Sequence, residues 1–364
     1  MPPVTLFRYI SLRSLIAFGA IYGVLAGLVF LADLIENMRF AGKVENGNFG
    51  FALQLTALRT LGLTQALTPF VFLFGGLWAF NQLNRKSELA VMRSAGLSVW
   101  RLIGPPALIA ALSGLIIISL IDPMSARMMD LGEKMKNDIR GKTSSLVRVF
   151  GDGIWLRQRD VDATLIINAA HFDPAKGALT GVTIWRMGAD SSFQERIDAP
   201  KAVLAGRTIE LHNATMKGPG QQLAQKTPMF AVATNLTLDD LQSSVPLPET
   251  MSIWDLPRFI LLAEAAGLPT IRYDIRFHDL CSTPLKLVAM VMIAAMFSLR
   301  PLRQGGAFGL VVMAVITGFF LYVLAQISTA LGESGSVSVA LAAWTPAVIA
   351  AIVAITRLLQ VEDG

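Results

Sequence analysis

The stretch RKSELAVMRSAGLS, residues 85–98, holds most of the charge in its neighbourhood and lies between two apolar runs. Ser87 is placed to cap a helix, Glu88 falls in a first turn where the helix dipole favours an anion, and Gly96 stands where a left-handed residue ends one. The spacing predicts a helix of about nine residues, too short to persist in water without something to pack against. Leu89, Met92 and Ala95 or Gly96 form a narrow apolar stripe beside Glu88 and Arg93. A helix lying on a lipid surface carries a wide apolar face ringed by Lys and Arg, whereas this one is rich in small residues and starts with an acid. It is expected to dock in a partner's groove, with Glu88 as the polar anchor.

Other chemistry has little footing. His171, His212 and His278 are too scattered for a metal-ligand pattern. One cysteine, Cys281, excludes an intramolecular disulfide. No G-x-S-x-G elbow, H-E-x-x-H pair or Walker A loop occurs. The net charge of +5 over 364 residues suits a membrane protein with basic cytoplasmic loops and does not argue for nucleic acid.

The elements that must position the polar stretch are hydrophobic. The chain is 53% hydrophobic and 16% charged, with a mean hydropathy of +0.55, the composition of a membrane protein. A bilayer core needs roughly 20 apolar helical residues. Six windows supply them, at 14–32, 61–83, 102–121, 280–299, 308–330 and 337–356, in a three-plus-three array. The first exceeds the roughly 7 to 15 residues of a signal-peptide core and is expected to be a permanent span. Lys and Arg favour cytoplasmic loops. Arg8 and Arg13 precede the first window, Arg85, Lys86, Arg93 and Arg101 separate the second and third, Arg300 and Arg303 separate the fourth and fifth, and Arg357 follows the sixth. Both termini and the 84–98 segment are therefore expected in the cytoplasm. Arg39, Lys43 and Arg59 then fall on the outer side, against the rule. Lys286, inside the fourth window, lies near its outer end and can snorkel.

Between Asp122 and Asp279 continuous apolarity gives way to short alternating runs bounded by Gly, Pro and Asp. GIWLRQRD, ATLIINAAHF, LTGVTIWRM, RTIELHNATMKG and FAVATNLTL have strand length and composition. They predict a β-sandwich or jelly roll facing away from the cytoplasm. SARMMDLGEKMKNDIRGK and SIWDLPRFILLAEAAG flank it as supporting helices. The expected organisation is residues 1–122 with three spans, 123–279 as the outer domain and 280–364 with three more.

Three spans around a helix reading SELAVMRSAGLS, a strand-rich outer domain and three further spans resemble the LptF/LptG family of lipopolysaccharide export permeases. LPETMSIWDLP, PLRQGGAFGLVVMAVITGFFLYVLAQI and AAWTPAVIAAIVAI carry the resemblance through the rest of the chain, and the C-terminal runs look more like LptG than LptF. The resemblance implies one of two transmembrane subunits of an ABC transporter. It would pair with a second permease of the LptF type and with a cytosolic ATPase dimer of the LptB type, which would bind the ATP and Mg. Glu88, with Leu89, Met92, Arg93 and Gly96 around it, would contact that ATPase. Lipopolysaccharide would pass to a periplasmic bridge of the LptC/LptA type in a Gram-negative inner membrane.

Lipid A carries phosphates and acyl chains, so its site needs cations at the outer leaflet above an apolar cavity. Arg39, Lys43 and Arg59, with Lys136 and Arg140 on the helix leaving the third span, are the candidates. Phe319, Tyr322 and Gln326 share one face of the fifth span, as membrane packing or as cavity lining. Gly19, Gly23 and Gly27 form a small-residue stripe on the first span, for contact within the subunit or with another helix. The alternative from another class is a membrane-anchored enzyme of envelope lipid metabolism with a catalytic outer domain.

Overall fold

A computed structural model describes residues 3–44, 47–139, 146–150, 153–159, 163–173, 177–188, 192–206, 208–219, 225–234, 246–299 and 307–363. The helices in chain order are α1 (Pro3–Ala41), α2 (Phe49–Ala66), α3 (Thr68–Arg85), α4 (Glu88–Ser94), α5 (Val99–Ile116), α6 (Asp122–Ile139), α7 (Leu256–Ala265), α8 (Ile271–Cys281), α9 (Thr283–Ser298), α10 (Ala307–Glu333) and α11 (Val339–Asp363). The chain divides into two compact units, Met1–Gly132 with Asp274–Gly364, and Glu133–Tyr273.

Among the described residues four helical stretches are long and apolar enough to cross a bilayer alone: Thr5–Ala41, Val99–Asn137, Val312–Glu333 and Val339–Gln360. Two bent pairs, α2 with α3 at 64° and α8 with α9 at 51°, make six if each is one span. Both bends precede a Thr-Pro dipeptide, Thr68-Pro69 and Thr283-Pro284, in the first turn of the second helix. Proline has no N–H to donate backwards to the preceding helix, yet it suits a first turn. The same residue therefore ends one helix and starts the next.

Pro123 does not interrupt its helix. The chain passes from α5 to α6 through a π-helical turn, Ile117–Ile121, in which Asp122 N–H bonds to Ile117 O. The wider turn lets the helix continue past Pro123. The outgoing helix thus prolongs the third span instead of following it as a separate element. Inside the unit α3, α5 and α9 share the main apolar core, with Phe80, Leu73, Leu102, Leu287 and Val291 buried. Leu12, Ile16, Leu28 and Leu31 of α1 face outward, as expected of a helix in lipid.

The second unit is a seven-stranded antiparallel sheet: β1 (Leu146–Phe150), β2 (Gly153–Arg159), β3 (Ala163–Asp173), β4 (Ala178–Gly188), β5 (Phe193–Ala205), β6 (Thr208–Lys217) and β7 (Gln225–Ala233). Each strand pairs with its sequence neighbours. The strand-rich domain expected from the alternating runs is therefore an up-and-down meander among the described residues. A crease gives this one sheet two panels. Ala170, Gly181, Pro200, Asn213 and Pro228 lie in one cross-strand row where pairing is skipped, and Gly181 and Asn213 are left-handed at φ 63° and 55°. Buried residues change parity at that row, from Ala169 to Phe172, from Leu179 to Val182, from Ala199 to Ala202 and from Leu211 to Ala214. A one-residue slip in a single strand would turn its apolar set away from the core. Made in adjacent strands together, it bends the sheet and keeps both panels facing one core. Helix α7 joins that core through Ala263, and the turn after it through Ala266 and Leu268; Phe172 N–H donates to Ala266 O at 3.1 Å.

Candidate functional site

Helix α4 has seven residues. Ser87 does not cap it with its side chain. It takes the left-handed conformation, φ 55°, to turn the chain out of α3. Gly96, φ 79°, closes the other end as expected: Gly96 N–H bonds to Arg93 O at 3.0 Å and Leu97 N–H to Met92 O at 3.2 Å, the paired bonds of a Schellman stop.

The apolar stripe of α4 faces inward. Leu89 is only 4% exposed within the core of its own bundle, and Met92 packs against that core half-buried. Leu89 is thus buried and Met92 half-buried within their own subunit, because a seven-residue helix must first pack its few apolar side chains on its own bundle. The outward face carries Ala90, Val91, Arg93, Ser94, Ala95 and Gly96, with Val91 65% exposed. Glu88 lies at the border. Tyr9 Oη donates to its Oε2 at 2.8 Å and Arg13 Nη2 stands 3.5 Å from its Oε1. Past α4, Ser98 Oγ accepts from Trp100 N–H, and Glu362 Oε2 of α11 accepts from Val99 N–H at 2.9 Å.

The expected outer cations separate into three groups. Arg39 and Lys43 are exposed at the end of α1. Arg59 turns into the bundle, 3.3 Å from Asp33, which also accepts from Asn37 Nδ2 at 2.7 Å. Asn37 in turn donates to Thr56 Oγ1 at 2.9 Å. Arg59 is therefore occupied in joining α1 to α2. Lys136 faces Glu133 at 3.9 Å within α6, and Arg140 lies outside the described residues. Lys286 is held by the carboxylate of Asp279.

Phe319, Tyr322 and Gln326 are exposed on one face of α10, with the Tyr322 ring 6.2 Å from Phe70. Gly19, Gly23 and Gly27 have open space where a side chain would stand, so no described helix of this chain fills the stripe. Close approach within the subunit uses other glycines: Gly75 against Phe18 and Gly114 against Pro284. A cavity of about 240 Å³ opens between α1, α2, α3 and α5, lined by Tyr22, Leu61, Gln65, Phe72, Ser113 and Ile117 among others. Near Gln65, Asp122 is fully buried and pairs with Arg276 at 2.9 Å, tying α6 to α8.

A family model for the lipopolysaccharide export system permease LptF/LptG matches residues 8–360. The chain belongs to the LptF/LptG family. It is 26% identical over 344 residues, covering 89% of each chain, to the lipopolysaccharide export system permease protein LptG of Haemophilus influenzae. An LptF/LptG permease is a membrane transport subunit, and the four to six apolar spans and the strand domain fit that role. Among the described residues no group of three or more His, Cys, Asp or Glu could hold a metal ion.

Several side chains in the permease's polar clusters escape sequence reading. Tyr9, Arg13 and Glu362 find partners 79, 75 and 263 residues away. Asp33 and Asp122 do carry a signal, since an acid beside or within an apolar run needs a buried partner.

Proposed function

We propose that this permease is one of two membrane subunits of an ABC exporter in a Gram-negative inner membrane, lifting lipopolysaccharide towards a periplasmic bridge of the LptC/LptA type. A second permease of the LptF type completes the membrane part. A cytosolic ATPase dimer of the LptB type binds the ATP and Mg and drives it. Both termini and α4 then lie in the cytoplasm, and the sheet domain in the periplasm. The observation that carries the reading is α4 itself: its inner face is buried in the bundle, while Ala90, Val91 and Ser94 are displayed outward. A short helix seated this way presents a preformed ridge to a groove. Small residues at its crest allow close approach.

Arg39, Lys43, Lys136 and Arg140 are the cations proposed for lipid A phosphates. Arg59 is withdrawn from that set by its bond to Asp33. Phe319, Tyr322 and Gln326 are proposed to line the lipid path between the two permeases, and the open glycine stripe of α1 to receive a neighbouring helix.

The test is Val91→Asp with co-purification of the ATPase. A charge buried in the docking groove without a partner costs several kcal/mol, so the variant should fold, reach the membrane and lose the ATPase. Retained ATPase and normal export would remove α4's outer face from the interface. If instead the purified sheet domain turned over a lipid, the membrane-anchored enzyme would replace this reading.

A further inference from the structure

We infer that Tyr9 and Arg13 are positioning residues that fix α4 to α1, so that a displacement of α4 is delivered along the whole of α1. The inference deepens the transport reading and rests on α4 being the element the ATPase moves.

Helix α4 leaves α3 through left-handed Ser87 and ends at left-handed Gly96, and the bonds of its first residue run sideways to α1. Both carboxylate oxygens of Glu88, the first residue of α4, are engaged by α1: one by Tyr9 Oη at 2.8 Å, the other by Arg13 at 3.5 Å. Tyr9 and Arg13 are one helical turn apart on the same face of α1, and the Arg13 guanidinium stands 4.6 Å from the Tyr9 ring centroid, within cation–π range. Arg13 Nη1 is buried with no hydrogen-bond partner among the described residues. Glu88 and the Tyr9 ring orient the guanidinium. Behind Glu88, buried Leu89 seats the helix on the bundle core. The segment after α4 is tied elsewhere, to α11 through Glu362 and Val99.

Helix α1 is suited to carry the motion. It runs unbroken over 39 residues, with a proline only at its first position, so it lacks the interior proline or π-turn that kinks helices. At 1.5 Å per residue, Tyr9 and Arg39 are about 45 Å apart along one rod. Its far part is fastened to α2 by the Asp33, Asn37, Thr56 and Arg59 network. A push on α4 therefore reaches the end of the helix that bears Arg39.

The experiment uses the assembled exporter in proteoliposomes loaded with lipopolysaccharide, and measures lipopolysaccharide released per ATP hydrolysed. Tyr9→Phe and Arg13→Gln should each retain the ATPase and its turnover, yet lower that ratio about fivefold, the scale of one partly exposed charge-assisted bond. Neither change should lower it further in a Glu88→Gln background, because both act through that carboxylate. The exchange Arg13→Glu with Glu88→Arg should recover part of the ratio lost in either single change. An unaltered ratio in assembled variants, or additive losses in the Glu88→Gln background, would overturn the tether. Loss of the ATPase from Tyr9→Phe would also overturn it, since the bond lies behind the docking face. A wild-type chain that retains no ATPase would instead overturn the docking reading, and the tether with it.

Discussion

The two ends of α1 carry polar clusters of similar make-up in opposite surroundings. At one end the Glu88 side chain meets Tyr9 and Arg13 while 27% exposed, so water can replace a lost partner. At the other the Asp33 side chain meets Asn37 and Arg59 while 8% exposed, and Arg59 Nε is buried without an acceptor among the described residues. Removing one partner from a buried pair leaves a charge with nothing to solvate it, whereas an exposed pair loses little. The difference separates a buried brace from a partly exposed tether. The Asp33 cluster holds α1 and α2 together, and the Glu88 cluster fixes α4 to α1 yet can be broken at little cost to the fold.

The largest expected effect tests the brace. Asp33→Ala should lower thermal stability in detergent by about 2 to 3 kcal/mol, because half-buried Arg59 and buried Asn37 both lose their acceptor. Arg59→Gln should destabilise as well instead of acting mainly on lipid binding. A Glu88→Ala loss as large as that of Asp33→Ala would break the comparison. Next in size is the exposed charge at the far end of α1. The triple change Arg39→Glu, Lys43→Glu and Arg140→Glu should cut lipopolysaccharide crosslinking at least tenfold in a correctly assembled complex, since repulsion replaces attraction. Each single alanine change should cost only about 1 kcal/mol. Undiminished crosslinking would assign the headgroup to the partner permease. The smallest effect is on the stability of Glu88→Ala itself, about 1 kcal/mol or less by the same unfolding measurement.

Where a single physical rule dominates, the sequence is a sufficient guide. Apolar windows mark four spans outright, and six if each bent pair is one span, because lipid forces long apolar helices, and alternating runs mark the strands because the sheet buries one face. The legible features of α4 are its position, its acidic start and its Gly96 stop. Which way it faces is not legible: spacing shows that Leu89 and Met92 share a side, but only the bundle core beneath them decides that the side is inward. Arg59 illustrates the same limit. Its charge on the outer side stands out, yet its engagement by Asp33, 26 residues earlier, depends on how α1 and α2 pack. The crease in the sheet is a third case. Gly181, Pro200, Asn213 and Pro228 are each visible as strand breakers, but that they fall in one row depends on pairing register.

The central claim is that the outward face of α4, and not its apolar stripe, meets the ATPase. A photocrosslinking residue placed at Val91 and, separately, at Met92 tests it most directly in intact membranes. The account predicts ATPase adducts from Val91, which is 65% exposed, and adducts confined to the permease's own helices from Met92, which packs against the bundle core. ATPase adducts from Met92 with none from Val91 would contradict it.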